Sequence, residues 1–224
     1  MAAPVVDLPE LRERTHVFAD RREAGEVLAR MLAGTVDTDA VVVAIPAGGV
    51  PVGAALAAAL GLPLDVAVVS KITLPWNTEA GYGAVAFDGR VALNEPLVRM
   101  SGLTPEEVEA GIRATREKVE RRVRRLRGGE AAPDVAGREV IAVDDGLASG
   151  LTMQLAVEAL RAAGARRIVV AVPTAHPEAL ARIARVADAV YCANVRSGPP
   201  FAVAEAYRRW YDVPEEEAAA LLGR

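Results

Sequence analysis

Val140-Ile141-Ala142-Val143-Asp144-Asp145-Gly146-Leu147-Ala148-Ser149-Gly150-Leu151-Thr152 decides how the rest of the chain is read. Four apolar residues, Val140 to Val143, read as a buried strand that runs straight into two carboxylates. A loop of small residues follows, and a helix begins at Thr152. In parallel α/β sheets, ligands sit beyond the carboxyl ends of strands. Gly146 and Gly150 permit unusual backbone angles and close approach of a ligand. Successive N–H groups at a helix start present a partial positive charge to an anion. Ser149 and Thr152 add hydroxyl donors, so this end suits a phosphate monoester. Asp144 and Asp145 do not favour phosphate. They are suited to accept hydrogen bonds from vicinal hydroxyls and to hold Mg²⁺ through water. A phosphate at one end with a diol beside it describes a ribose 5-phosphate. A bland alternative remains, in which the aspartates cap the helix and the glycines turn the chain; it explains one carboxylate better than the whole string.

Outward from this stretch, apolar runs alternate with helical patterns. Val41 to Ile45 reads as a strand ending in the loop Pro46-Ala47-Gly48-Gly49, and Val52 to Leu60 as an Ala-rich helix stopped by Gly61 and Pro63. Asp65 to Ser70 is a second strand. Asp88-Gly89, between Val85-Ala86-Phe87 and Arg90-Val91-Ala92, supplies the positive φ angles of a tight type I′ turn and predicts a hairpin. From Thr104 to Arg127 the spacing of Val108, Ile112, Val119, Val123 and Leu126 predicts a helix, with Thr104 as N-cap and Pro105 in the first turn. After the motif come a strand at Ile168 to Val172, a helix at Pro177 to Val186, a strand at Ala189 to Ala193 and a short helix at Pro214 to Leu222. This order predicts an α/β fold: a mostly parallel five-stranded sheet with helices on both faces.

Bulk properties narrow the class. The chain has 224 residues, enough for one domain, and is 52% hydrophobic but only 4% aromatic, so its core is mostly Ala, Val and Leu. A net charge of −4 does not indicate a cationic nucleic-acid surface. The lone Cys192 allows no intramolecular disulfide, which suits a reducing cytoplasm, and it reads as a small buried apolar residue. Met1 to Glu23 lacks the apolar run of a signal peptide, and Val52 to Leu60 is too short to span a bilayer, so no membrane partner is expected. A P-loop needs a lysine that is missing here, and Gly48-Gly49-Val50-Pro51-Val52-Gly53 has the wrong spacing for a dinucleotide fingerprint. The arginines of 113–127 share their helix with Glu109, Glu117 and Glu120; they read as a solvated face in preference to an RNA contact. His16 and His176 have no metal-ligand spacing and read as surface or packing residues.

The thirteen-residue stretch resembles the phosphoribosyl pyrophosphate (PRPP) motif of type I phosphoribosyltransferases: an apolar strand, two acids, a small-residue loop with Ser/Thr-Gly, and a final Thr. The likeness extends over about residues 18–222. It implies a single domain over 1–224, with a core of about 18–195 and a small hood from about 196–224. It implies that Asp144 and Asp145 contact the ribose hydroxyls and Mg²⁺, and that Ala148, Ser149, Gly150, Leu151 and Thr152 cradle the 5-phosphate. Ala47, Gly48 and Gly49 fall on the pyrophosphate loop, which in the family often carries a strained or cis peptide. Ala47 replaces a residue that is often basic. Lys71 stands where the family places a pyrophosphate-binding cation, which would support catalysis. Leu74 to Leu93 matches a flexible hairpin loop that closes over PRPP, with Glu79, Gly81 and Tyr82 as contacts; Trp76 and Tyr82 also read, and more readily, as partly buried packing residues. Tyr191 and Phe201 are the candidates to stack on a base. The implied activity is transfer of ribose 5-phosphate from Mg-PRPP to a nucleobase-like acceptor with release of pyrophosphate, in nucleotide metabolism, by a homodimer. A PRPP-sensing regulator without turnover is the alternative, and a hydrolase using Asp144 as nucleophile a weaker third.

Overall fold

The computed structural model describes residues 2–130, 132–199 and 201–224 and, of Thr78 and Glu79, the backbone only. The elements run β1 (Val5–Asp7), α1 (Arg21–Leu32), β2 (Val41–Ala44), α2 (Gly49–Leu60), β3 (Leu64–Val66), β4 (Val69–Leu74), β5 (Asn77–Ala86) and β6 (Val91–Leu93). They continue with α3 (Glu95–Met100), α4 (Pro105–Arg127), β7 (Glu139–Val143), α5 (Leu151–Ala162), β8 (Arg167–Ala175), α6 (Pro177–Ile183), β9 (Ala189–Val195) and α7 (Glu215–Leu221).

Among the described residues, six strands form one sheet in the order β1-β9-β8-β7-β2-β3, with every pairing parallel. The five expected strands are there; the sixth, β1, is a three-residue edge strand on β9. Such a piece is too short for any period to show. The alternation of a strand sends neighbours to opposite faces. Val140 and Ala142 pack with Leu155 and Leu160 of α5, whereas Ile141 and Val143 pack with Leu28 of α1 and Leu56 of α2. Helices therefore cover both faces, as an all-parallel sheet requires.

The run read as one strand, Asp65 to Ser70, is divided. Leu64–Val66 pairs with β2, while Val69–Leu74 starts a second, antiparallel sheet in the order β4-β5-β6. A continuous apolar run carries no sign of where its pairing partner changes. The hairpin at Asp88-Gly89 joins β5 to β6 as the sequence predicts, but its turn is not type I′: Gly89 alone takes a positive φ, +85°, and the Gly89 N–H donates to the Ala86 carbonyl at 2.9 Å, which sets Phe87 and Asp88 at the turn's centre. A second turn, at Pro75-Trp76, joins β4 to β5.

α4 starts at a capping box: the Thr104 hydroxyl accepts from the Glu107 N–H at 3.2 Å, and the Glu107 carboxylate accepts from the Thr104 N–H at 2.8 Å. Val119, Val123 and Leu126 are buried against the second sheet, each contributing about 2 kcal/mol. Gly111 leaves room for the Tyr82 hydroxyl, which a Cβ there would overlap. The expected solvated face exists in the exposed pairs Glu109–Arg113 and Glu117–Arg121. Arg122 and Arg127 instead turn inward and are buried. Among the described residues no helix is long and apolar enough to cross a membrane.

Candidate functional site

The strand register brings the two marked loops together. Ala44 of β2 pairs with Val143 of β7, and the Ile45 N–H donates to the Val143 carbonyl at 2.8 Å. Pro46 to Gly49 therefore leaves the sheet directly beside Asp144 and Asp145. The Pro46–Ala47 bond is cis. A Cβ on Gly48 would overlap the Asp145 carboxylate, and one on Gly49 would lie 2.8 Å from the Val143 carbonyl oxygen. These glycines allow close packing of loop on loop. Ile45 and Pro46 line the open cleft; Gly48 and Gly49 stand behind, against the aspartates, and Ala47 is half-buried outside the lining.

The cleft has a volume of about 530 Å³. One end is the start of α5, where Ala148, Ser149, Gly150 and Thr152 face the opening. Gly150 sits at φ +74° as the N-cap of α5, a conformation that favours glycine. The loop is tied down: the Leu147 N–H donates to the Thr174 carbonyl at 2.9 Å and Arg182 Nε to the Ser149 carbonyl at 3.1 Å. The Leu151 N–H donates to Ser149 Oγ at 3.3 Å, and the Leu151 side chain is not part of the lining. Gly146 has no room for a side chain, because a Cβ would lie 2.6 Å from Val203 and 2.9 Å from Thr174.

Asp144 and Asp145 lie beside this end at the floor of the cleft. Their surroundings differ. Arg21, at the start of α1 and buried, reaches Asp145 Oδ2 with Nε at 3.0 Å and Nη2 at 2.9 Å. Its Nη1 donates to the Tyr211 carbonyl at 2.9 Å, and its guanidinium lies 3.9 Å from the Trp210 ring centroid. The Tyr207 hydroxyl donates to the Asp145 carbonyl at 2.6 Å. Burial raises the Asp145 carboxyl above its ordinary range, and the Arg21 charge opposes that rise. Asp144 accepts the Asp145 N–H at 2.9 Å. Burial, and then the charge of Asp145, push its carboxyl well above the ordinary range.

The opposite wall comes from the second sheet and α4. Ser70, Lys71, Thr73 and Gly81 line it, joined by Lys118 and Arg122. Lys71 and Gly81 are thus in the cleft, and a Cβ on Gly81 would touch the Lys71 stem at 3.1 Å. The ribbon residues that line the cleft fall between Val69 and Thr73, with Gly81; the Pro75-Trp76 turn and the Asp88-Gly89 turn, at opposite ends of β5, are both outside the lining.

Several expected residues are elsewhere. Tyr82 is fully buried beneath α4 and does not face the cleft. Tyr191 faces the α1 side of the sheet, its hydroxyl 3.4 Å from Thr35 Oγ1, because residue parity on β9 turns it into that core. Phe201 packs edge-on to His176 with centroids 5.8 Å apart and lies 5.0 Å from the Arg196 guanidinium, outside the cleft lining. Glu79 falls in β5, but its side chain is outside the described residues. His176 caps α6, and Cys192 is buried with its thiol pushed up to about 12 by that burial. Arg21, Tyr207, Trp210, Lys118 and Arg122 carry no signature in the sequence. The only hint was that Lys118 and Arg122 are four apart, on one helix face.

Comparison with known proteins agrees with this geometry. Residues 18–201 match the model of the phosphoribosyl transferase domain. A Mycobacterium tuberculosis protein named "Putative phosphoribosyl transferase Rv0571c" is 38% identical over 208 residues, 93% of this chain and 47% of the relative. The chain thus spans about half the length of the curated relatives it matches. The crystal structure of TT1426 from Thermus thermophilus superposes with a TM-score of 0.70 at 35% identity, covering 92% of this chain and 97% of the other. The chain belongs to the phosphoribosyltransferase family.

Proposed function

We propose that the cleft binds Mg-PRPP and transfers its ribose 5-phosphate to a nitrogen of a nucleobase-like acceptor. One observation carries this reading: the paired carboxylates and the start of α5 lie side by side on the floor of one cleft, and cations stand across from them. The α5 start and the Ser149 and Thr152 hydroxyls take the 5-phosphate. Asp144 and Asp145 take the ribose hydroxyls.

Mg²⁺ fits the donor set. Both carboxylates are hard oxygen donors, and burial together with the Asp145 charge pushes Asp144 toward protonation, an effect that a bound cation would offset. Among the described residues no group of three or more His, Cys, Asp or Glu gathers to cage a metal; Asp144 and Asp145 would hold the ion with the help of water and ligand oxygens. The ion would neutralise phosphate charge. In the reaction the acceptor nitrogen bonds to C1 and the C1–O bond breaks. The electron pair leaves on pyrophosphate and the acceptor proton is released. The chain's part is positioning and charge stabilisation by Lys71 and its neighbours. The carboxy-terminal stretch from 196, folded back on residues 13–18, is the hood over the strand ends; the His16 N–H donates to the Glu205 carbonyl at 2.7 Å and the Arg208 N–H to the Phe18 carbonyl at 2.8 Å.

Binding without turnover is the second reading. It is favoured by Ala47 in the pyrophosphate loop and by the inward turn of Tyr191. Pyrophosphate release across a panel of bases separates the two. Asp144→Asn with Asp145→Asn removes two charge-assisted contacts and is expected to weaken PRPP binding about 100-fold in Mg²⁺. Unchanged affinity by calorimetry sinks the assignment of the site.

A further inference from the structure

One wall of the cleft comes neither from the motif nor from the parallel sheet. α4 packs along β4 and β5 and brings Lys118 and Arg122 to the cleft from one helix face. Arg122 is held firmly: it is 9% exposed, its Nη1 donates to Ser70 Oγ at 3.3 Å, and its Nε donates to Glu215 Oε1 at 2.6 Å. Lys71, next to Ser70, completes a group of three cations facing Asp144 and Asp145. Lys118 and Arg122 also border an adjoining recess with Arg121, Arg124, Arg125 and Glu215, so the positive surface continues outward along the helix. Like charges gathered this way repel, and an anion that enters the cleft among them relieves that repulsion. Among the described residues, Glu215 of α7 is the carboxylate that lies against Arg122. On the opposite loop Ala47 offers no charge.

The geometry points to Lys118 and Arg122, together with Lys71, as a polyphosphate subsite, with Glu215 holding Arg122 from the adjoining recess as an internal counter-anion until a ligand arrives. This rests on the PRPP reading and names the part of the chain that holds the pyrophosphate end. It makes α4, an element outside the parallel sheet, half of the binding machinery. Glu215 then has a competitive role: its carboxylate must yield part of Arg122 to the incoming oxygens.

The test is calorimetric titration of the full chain with inorganic pyrophosphate and, separately, with ribose 5-phosphate, each in Mg²⁺. Lys118 is exposed, so Lys118→Ala leaves the core intact, and a matching melting curve checks this. Lys118→Ala is expected to weaken pyrophosphate about tenfold, one charge-assisted contact, and to leave ribose 5-phosphate unchanged. Glu215→Gln is expected to tighten pyrophosphate. Equal loss of both ligands in Lys118→Ala, no loss of either, or weaker pyrophosphate binding in Glu215→Gln overturns the subsite. Wild-type protein that binds ribose 5-phosphate but not pyrophosphate overturns the subsite alone. Wild-type protein that binds neither overturns the PRPP reading with it.

Discussion

The rim of the parallel sheet and the carboxy-terminal stretch both build the candidate site, by opposite means. The rim, residues 46–49 and 144–152, consists of two contiguous loops set side by side by the β2–β7 register. The carboxy-terminal stretch arrives through single contacts: Val203 over Gly146, Tyr207 on the Asp145 carbonyl, Trp210 and Tyr211 around Arg21, and Glu215 on Arg122. The rim determines which chemical groups are present. The distant contacts determine their charge, because Arg21 reaches Asp145 and leaves Asp144 without a comparable hydrogen-bonded partner. Two adjacent aspartates thereby become unequal.

Three substitutions test this division. The largest effect is expected from Arg21→Met, which keeps the bulk and removes the charge. It leaves Asp145 buried beside Asp144 without its cation, at a cost of about 3 kcal/mol in urea unfolding. A neutral result would mean that the carboxy-terminal stretch does not hold the rim. Gly48→Ala comes next. Its helical backbone at φ −58° accepts alanine, so the damage comes from the Asp145 carboxylate that the new methyl must displace. An overpacking cost of about 2 kcal/mol is expected, with a smaller cost in the Arg21→Met background, where Asp145 is no longer pinned. Strict additivity of the two would show that the loops and Arg21 act independently.

Asp144→Asn has the smallest effect and the opposite sign. A carboxyl whose native pKa is raised binds its proton more tightly folded than unfolded. Its stabilising share is complete below the ordinary value of 3.8 and is lost as pH rises through the raised native value. Above 3.8 the wild type therefore loses stability as pH rises, a loss that asparagine does not share. Asp144→Asn is expected to melt higher than wild type at pH 8, with the gap closing toward pH 4. A constant gap across that range would contradict the inequality of the two acids.

Legibility in the sequence follows the same division. The strand, acid pair, glycine loop and helix start of 140–152 were readable because each feature sits within a few residues of the next. The N-cap at Thr104 and the hairpin at Asp88-Gly89 were readable for the same reason. Arg21 was not, since its partner lies 124 residues away and an arginine in a helical first turn has nothing to mark it. Lys118 and Arg122 were hidden among the other charges of α4, because composition does not tell which face turns inward. Tyr191 was misplaced by strand parity, which decides which side of a sheet a residue serves. Tyr82 was misplaced because its aromatic ring fills the space opposite Gly111, a contact that only the packed helix reveals.

The crossing from β3 to β4 has a mechanical consequence. Only Ala67 and Val68 span it, and both are fully buried. The antiparallel ribbon is thus a cantilever, clamped at its root by those two residues and along its length by Ile72 and Tyr82. Bending must concentrate at the unsupported end, where Trp76 is 63% exposed. The wall of the cleft that carries Lys71 therefore belongs to the clamped part of the beam, and the tip lies beyond the lining.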